Sequence, residues 1–313
     1  MRISNTLIRT PILLSLLAIG SFNLKASHDL YGRIAIDAQS ISIENNGTKS
    51  DIANNESKIG LKGSFLFPET SNLEIIYQIE YGFDPVDGKA RGNDGTLKQR
   101  NTFVGLQTNF GTLFAGTYDS ALKKSQLKAD LFNDVSADIN NILHGENRLE
   151  EFIGFITPKY KDSISATFNN IKNPLASGTN SQSYSINYSG DNYQAAFAVD
   201  DDMKGFDSTR FSALYPHINF QFGIIIQETK NLLTGVKKSG GVISYSARVK
   251  SKGILKFQHA SSSMKISSGK QSTIGYDHQI KQGLKFFTLF SKLQSDRANK
   301  NKIIFSIGLE YKF

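Results

Sequence analysis

The chain of 313 residues has no cysteine, no tryptophan and only 6 prolines. Without cysteine, disulfides cannot stabilise the fold, and neither a thiolate metal site nor a cysteine nucleophile is available. Scarce proline favours a fold in which almost every backbone amide donates a hydrogen bond. No apolar run reaches the ~20 residues that a membrane-spanning helix needs. A helical membrane protein is therefore excluded.

The N-terminus has the regions of an export signal. Two arginines precede a short apolar core at residues 12–19, and a small-residue cleavage site ends at Ala26. We therefore predict a signal peptide over residues 1–26 and one mature domain over residues 27–313. The alternative is a transmembrane anchor, but the apolar core is too short to span a bilayer.

The charge balance and the histidines both argue against several function classes. The mature chain has a basic excess of about five, spread along the sequence, with no stripe of lysine and arginine interleaved with aromatics. The 5 histidines are scattered, with no i,i+4 pair and no acid at ligand spacing. No Gly-x-Ser-x-Gly motif or phosphate-binding glycine loop is present. We expect no enzymatic activity or catalytic residue, no metal, no cofactor and no nucleic acid partner.

Apolar and polar residues alternate along most of the chain. In the last strand, residues 305, 307, 309, 311 and 313 are apolar or aromatic, whereas the residues between them are mixed and largely polar. Residues 30–39 repeat the pattern, with Ile34 and Ile36 predicted to face outward and Arg33 and Asp37 inward. A strand of this kind can face lipid on one side and a wet lumen on the other.

Sixteen such strands can be counted, which is an even number, as an antiparallel barrel requires. Their predicted ranges are 30–42, 57–66, 72–84, 99–109, 111–119, 150–157, 163–170, 182–189, 193–200, 208–215, 218–229, 239–249, 253–262, 270–280, 283–294 and 302–313. Short turns alternate with longer polar loops, predicted at 42–56, 85–98, 171–181, 229–239 and 294–300. The fold class is thus all-β, a transmembrane antiparallel barrel. The alternative is a soluble β-sandwich, which would have to bury these faces without tryptophan or a disulfide.

Several motifs carry a family resemblance. They are DLYGR at 29–33, SKIGLKG at 57–63, QRNTFVGL at 99–106, FGTLFAGTY at 110–118, KADLFND at 128–134, GENR at 145–148 and the terminal YKF. These stretches resemble the general porins of Gram-negative bacteria, the trimeric sixteen-stranded type. The likeness covers the whole mature chain, although the C-terminal half matches mainly in the alternation of its residues rather than in motifs.

The resemblance implies a function and a location. The chain would form a water-filled channel in the cell outer membrane, through which small hydrophilic solutes and ions diffuse passively. Its partners would be the lipid bilayer and two further copies of itself in a homotrimer. The alternative is an outer-membrane barrel that acts as a solute-specific channel or as a surface adhesin.

The resemblance also implies a pore constriction. Arg33, Lys58, Arg100 and Arg148 would form its basic wall, and parity places Arg33 and Lys58 on the lumen face independently. In a regular strand Arg100 and Phe103 would lie on opposite faces, so that Arg100 would face the lumen and Phe103 the lipid. Charged side chains on the lipid face cost roughly 2–4 kcal/mol near the midplane, which favours the lumen.

Residues 120–149 are the longest stretch without alternation and would be the third loop, folded into the lumen. Apolar residues such as Phe132 and Ile139 argue that it is ordered. Asp130, Asp134 and Asp138 recur every four residues, which would place them on one face if this portion is helical. They would be the acids that oppose the basic wall, creating a field across the lumen.

The remaining expectations concern single positions. Gly105 would face a neighbouring subunit or, alternatively, relieve crowding between strands. Asn133 and Thr117 replace the glycine and the arginine that many such porins carry at the matching positions, so the basic wall has one charge fewer.

Overall fold

The computed structural model describes residues 25–67, 73–88, 96–172, 180–265, 269–297 and 300–313. Residues 1–24, most of the predicted signal peptide, lie outside them. The strands are β1 (Lys25–Ile43), β2 (Gly47–Asn54), β3 (Lys58–Phe67), β4 (Leu73–Phe83), β5 (Leu97–Gln99), β6 (Thr102–Thr108), β7 (Gly111–Asp119), β8 (Arg148–Ile156), β9 (Ile164–Lys172), β10 (Asn180–Ser189), β11 (Gln194–Met203), β12 (Phe206–Pro216), β13 (Phe220–Asn231), β14 (Lys237–Val249), β15 (Gly253–Ser262), β16 (Gly269–Lys281), β17 (Leu284–Ser295) and β18 (Lys302–Lys312).

Within the described residues, helical structure is confined to the stretch between β7 and β8. It consists of a single turn of α-helix, α1 (Ala121–Lys124), and a 3₁₀ turn (Ile139–Asn141). No helix in the described part of the chain is both long enough and apolar enough to cross a membrane.

The strands form one closed antiparallel barrel. β1 pairs with β18, from Arg33 opposite Lys312 to Ile43 opposite Lys302, which joins the two ends of the sheet. β1 also pairs with both β2 and β3, so these two segments are one barrel strand interrupted at residues 55–57. β5 and β6 likewise form one strand, interrupted at residues 100–101, since both pair with β4. The eighteen segments are therefore sixteen barrel strands, as predicted. The sandwich alternative is wrong.

The two faces of the barrel differ as the alternation predicts. Outward positions are apolar and exposed, for example Val104, Ile153 and Leu309 at 58%, 58% and 48%. Inward positions are mainly small, polar or charged and are buried against other inward groups. The inward residues Ser208, Arg210 and Ser212 of β12 are between 0% and 4% exposed. Such a surface suits lipid outside and polar groups inside.

The two rims carry connections of different length, but less consistently than predicted. One rim has the hairpin turns 109–110, 190–193, 217–219, 250–252 and 282–283. The other carries the long connection 120–147, yet the predicted loops 42–56 and 229–239 shrink to the turns 44–46 and 232–236. β2 is almost wholly exposed, so polar residues occupy both of its faces and remove the alternation by which strands are recognised. The predicted loops 85–98 and 171–181 fall mainly outside the described residues.

Candidate functional site

Glu80 is the centre of one group of charges on the inner face of the barrel. Its carboxylate accepts from Arg100 Nε at 2.8 Å, Lys58 Nζ at 2.8 Å and the Tyr31 hydroxyl at 2.9 Å. Arg100 also pairs with Glu56. We call these five residues the Glu80 cluster. Because Glu80 and Arg100 are only 2% and 5% exposed, their charges are retained by mutual pairing rather than by water.

Two irregularities of the sheet build this cluster. The interruptions at residues 55–57 and 100–101 lie on either side of β4, beside Glu80. At the first, Glu56 adopts a left-handed backbone conformation with φ of 60°, and its side chain reaches Arg100. At the second, the Arg100 backbone amide donates to the Glu80 carbonyl at 2.9 Å. Strand irregularities of this kind redirect side chains, here so that four neighbouring barrel strands supply one cluster.

A second group of charges surrounds Glu310. Arg33 joins Asp134 of the β7–β8 connection to Glu310 of β18, with both N–O distances 2.7 Å. Lys312 and Lys285 approach the other Glu310 oxygen at 3.1 and 3.4 Å. We call these five residues the Glu310 cluster. It continues along the wall through Asp277, which pairs with Lys285 and Lys256 at 2.9 Å each.

Arg148 belongs to a third, smaller group. Its Nε lies 3.1 Å from Asp119 Oδ1 and donates to Asn101 Oδ1 at 2.8 Å. Lys123 pairs with the same Asp119 oxygen at 3.0 Å. The four predicted basic residues thus all lie on the inner face, but in three clusters rather than one wall. Acids and bases are interleaved in direct pairs, whereas the sequence predicted them on opposing sides.

The connection between β7 and β8, residues 120–147, is called the loop segment below. Its backbone is hydrogen-bonded to inward side chains of strands far apart around the barrel. The Ala121 amide donates to Asn169 Oδ1 at 2.8 Å, the Leu122 amide to Ser183 Oγ at 3.1 Å and the Leu131 amide to Gln258 Oε1 at 2.8 Å. These acceptors lie on β9, β10 and β15.

Arg210 makes the most contacts between the wall and the loop segment. Its guanidinium donates to Glu146 Oε1 at 2.8 Å, to the His144 carbonyl at 3.0 Å and to the Leu122 carbonyl at 3.1 Å. It is fully buried. One side chain therefore ties both ends of the loop segment to β12.

Apolar contacts complete the attachment, as the composition of the segment predicted. Ile139, Ile142 and Leu143 are fully buried against apolar inward residues such as Ile225 and Val242. Phe132 packs against Leu289 and Ile304. At these strands the inner wall is apolar, which is where the loop segment lies against it.

The three predicted loop acids have different environments. Asp134 faces Arg33, as described above, and its side chain is 26% exposed. Asp130 is buried and accepts from the Phe132 and Ile139 amides and from Gln258 Nε2 at 3.0 Å. Asp138 accepts from the Asp134 and Asn140 amides at 2.8 and 2.6 Å. The condition for a common helical face is not met, because the segment from Asp130 to Asp138 consists of turns. The carboxylates of Asp130 and Asp138 cap these turns.

Burial changes the acidity of the segment. It raises the pKa of Asp130 to about 6, although the three hydrogen bonds oppose the shift. It also raises the pKa of Asp138, with the charges of Asp130 and Glu146 adding to the effect. The pKa of His144 is lowered by burial and by the charges of Lys265 and Lys238. Compared with free side chains, Asp130, Asp138 and His144 therefore all have their neutral forms favoured in the loop segment.

Gly105 lies on the inner side of the barrel, opposite in phase to the exposed Val104. A Cβ at this position would lie 2.8 Å from Phe114 Cβ and 3.0 Å from the Leu113 carbonyl oxygen. This crowding favours the second alternative, in which glycine relieves strand contact, over a contact with another subunit. Phe103 also points inward, and its ring makes an edge contact with Phe114 at a centroid distance of 5.5 Å. The prediction that Phe103 and Arg100 lie on opposite faces of the strand is therefore wrong. The strand is interrupted between the two residues, so the alternation does not continue from one to the other.

Sequence reasoning missed several groups that complete the site. Glu80, Asp119, Asp277, Glu310, Lys256 and Lys285 share the ion pairs, and Arg210 with Glu146 holds the loop segment. For most of these residues the sequence could have predicted an inward side chain, because they alternate with apolar, outward-facing residues in the same strand. Among the described residues, no group of three or more histidine, aspartate and glutamate side chains could hold a metal ion.

Comparisons with known proteins agree with this architecture. A family model for Gram-negative porins matches residues 14–298. The major outer membrane protein P.IB of Neisseria gonorrhoeae is 27% identical over 183 residues, which cover 54% of this chain and 50% of that protein. The chain thus spans about half the length of the curated relatives it matches.

Solved structures share the fold at low sequence identity. The anion-selective porin from Comamonas acidovorans superposes with a TM-score of 0.74 at 18% identity, covering 92% of this chain and all of that one. OmpF of Salmonella typhi, in a complex with daunomycin, gives 0.73 at 13% identity, with 91% and 97% covered. Since the family model covers most of the sequence and the barrel has the same architecture, the chain belongs to the Gram-negative porin family.

Proposed function

We propose that this protein is an outer-membrane channel through which small hydrophilic solutes and ions diffuse passively. The observation that carries the proposal is the closed sixteen-stranded barrel, whose outward residues are apolar and whose inward residues are polar or ionised. A barrel of this kind separates lipid from a hydrated interior. Residues 1–26 would be removed as a signal peptide, which leaves residues 27–313 as the barrel domain.

The loop segment would lie inside the lumen and narrow it. Its contacts with β1, β9, β10, β12 and β15 support this, because one segment can reach inward side chains around a closed barrel only from within. The constriction would then be bounded by the three ionic clusters. Polar solutes can exchange water for contacts with paired charges, whereas apolar solutes are excluded.

Each predicted site residue takes a role in this proposal. Arg33, Lys58, Arg100 and Arg148 would line the passage, with Arg100 contributing least because Glu80 and Glu56 both pair with it. Asp134 would be the acid that faces the solute. Asp130 and Asp138 would keep the shape of the loop segment instead of meeting the solute, because backbone amides occupy them.

The channel would assemble as a homotrimer. One support is the structural likeness to OmpT of Vibrio cholerae, solved in a trimer form, which has a TM-score of 0.65 at 10% identity and covers 92% of this chain. Diffusion is preferred to catalysis because the charged groups of the three ionic clusters are engaged in ion pairs with one another.

Planar bilayer recording tests the proposal. The refolded protein is added to a membrane, and we expect stepwise, ohmic conductance increases that arrive in groups of three. Permeation of neutral sugars should fall smoothly with their size. A membrane that stays silent at high protein load would refute the channel, and current that saturates with one solute would indicate the solute-specific alternative.

A further inference from the structure

A large cavity of the barrel lies at the rim that carries the loop segment. Its volume is about 940 Å³, within the ~300–1,000 Å³ range of small-molecule sites. The walls come from the ends of barrel strands and from one residue of the loop segment, His144. None of the three ionic clusters contributes a residue, so the cavity is separate from the constriction proposed above.

The cavity has an excess of positive charge. Lys238, Lys265, Lys300 and Lys302 line it, and none of the described residues that line it is an aspartate or glutamate. Among the described residues, Lys238, Lys300 and Lys302 form no ion pair. The lysines deeper in the barrel differ, since Lys58 and Lys256 each lie within 3 Å of a carboxylate, at 2.8 and 2.9 Å.

The fourth lysine is held in place at the edge of the loop segment. Lys265 Nζ donates to Asn140 Oδ1 at 2.7 Å and to the Asn140 carbonyl. The nearest acids that attract it are Glu146 and Asp138. Glu146 is already paired with Arg210, and Asp138 accepts from two backbone amides. The acids beneath the cavity are thus engaged elsewhere.

A flat apolar surface stands beside these amines. The His144 ring stacks on Phe206, with 4.3 Å between ring centroids and 26° between ring planes. Ile43, Val236 and Met264 extend the apolar lining. The charges of Lys265 and Lys238, together with burial, lower the pKa of His144, so its ring is neutral at pH 7 and adds no competing charge. The stacked pair offers an aromatic face at one side of a basic cavity.

We propose that this cavity binds small organic anions that combine one carboxylate with an aromatic ring. The carboxylate would accept hydrogen bonds from the amines of Lys238, Lys300 and Lys302, and the ring would stack on the Phe206–His144 pair. Charge alone would not distinguish such a ligand from chloride, whereas the aromatic face does. Binding at the entrance goes beyond passive diffusion, because it selects one chemical class before any solute reaches the constriction.

Fluorescence titration of the detergent-refolded, full barrel with 2-naphthoate tests the site. We expect saturable binding that weakens as salt is added. Acetate, which lacks the ring, and 2-naphthylmethanol, which lacks the charge, should not compete at equal concentration. K238Q/K302Q should weaken binding about tenfold, and F206A about three- to tenfold, in line with the loss of ion pairing or of stacking.

The matched control is K250Q/K281Q, which removes two exposed lysines from the opposite rim. It should bind 2-naphthoate like the parent protein. If binding is non-saturable, or if both double variants lose it equally, the ligand is only partitioning into the micelle or responding to net charge, and the site is refuted. Bilayer recording of the parent protein separates the two proposals. Silent membranes together with saturable naphthoate binding would overturn the channel but leave this site intact.

Discussion

Arg33 and Asp134 are 101 positions apart in the sequence, yet Arg33 Nη1 lies 2.7 Å from Asp134 Oδ2. The same guanidinium also holds Glu310 of the last strand. One arginine therefore connects the first strand, the loop segment and the final strand. The position of the loop segment and the closure of the barrel are linked through this side chain.

Loss of basic charge from the inner face should move ion selectivity toward cations. We expect both R100Q and R148Q to shift the reversal potential in that direction, and R148Q to shift it more. Arg148 shares a single carboxylate with Lys123, whereas Arg100 is almost fully buried and neutralised by two acids. Reversal potentials in a salt gradient measure this.

K161Q is the matched control. It removes one lysine from an exposed turn at the rim opposite the loop segment and should change the ion selectivity little. Unchanged reversal potentials in both arginine variants would show that these side chains do not line the conducting path.

Removal of Arg210 should release the loop segment. R210M leaves Glu146 buried without its partner, which costs about 3–5 kcal/mol for buried pairs of this kind. We expect trypsin to cleave after Lys123, Lys124 or Lys128 far faster than in the parent protein, while the sheet remains intact by circular dichroism.

Two further variants make the comparison specific. R210M/E146Q should recover part of the resistance to trypsin, because the unpaired charge is gone. R248M removes an exposed arginine and should behave like the parent protein. Equal cleavage rates in R210M and R248M would contradict the anchoring role.

Acid should stabilise the loop segment through Asp130. Its folded pKa of about 6 exceeds the ordinary value of 3.8, so the folded state binds the proton first as pH falls. Between about pH 7.5 and 5.5 the folded state should gain about 1 kcal/mol from this group. Thermal unfolding in detergent at both pH values measures the gain, and D130N should lack it.

The lowered pKa of His144 acts in the opposite direction, since its unfolded form takes up a proton in the same range. The test is therefore the difference between the parent protein and D130N, in which the histidine contributes equally. A D130N protein with the parent's full pH dependence would rule out Asp130 as its source.

Substitution of Gly105 should distinguish crowding from subunit contact. The added methyl group of G105A would press on Phe114 and the Leu113 carbonyl, which costs typically 1–3 kcal/mol for overpacking. We expect a lower unfolding temperature with an unchanged trimer fraction on unheated gels. V104A, which alters the neighbouring lipid-facing residue, is the control. A selective loss of trimer in G105A would instead support contact with a second subunit.

The sequence was sufficient to predict the barrel because the environment imposes a simple rule on it. Every strand meets lipid on one face, so outward positions such as Val104 and Leu309 must be apolar and the period of two is visible. The rule fails at β2, where nearly every residue is exposed and apolar and polar residues do not alternate. That difference explains the missed strand and the overestimated loop lengths.

The site was only partly predictable, because parity assigns a face but not a partner. Arg33 and Lys58 were correctly placed inward, whereas Phe103 was not, since the interruption at residues 100–101 resets the phase. The spacing of Asp130, Asp134 and Asp138 would give a common face only in a helix, and here each carboxylate caps a turn or pairs with a distant strand. The partner of each carboxylate depends on tertiary contacts, such as the hydrogen bond from Gln258 to Asp130, which joins residues 128 positions apart.

The seam between β1 and β18 has a consequence for biogenesis. Its ladder couples Arg33 to Lys312 and Ile43 to Lys302, so the barrel closes only when two strands that lie far apart in the sequence have paired. Until then both strands expose unpaired backbone groups, which recruit other chains. A variant in which this ladder cannot form should therefore aggregate rather than close into a barrel.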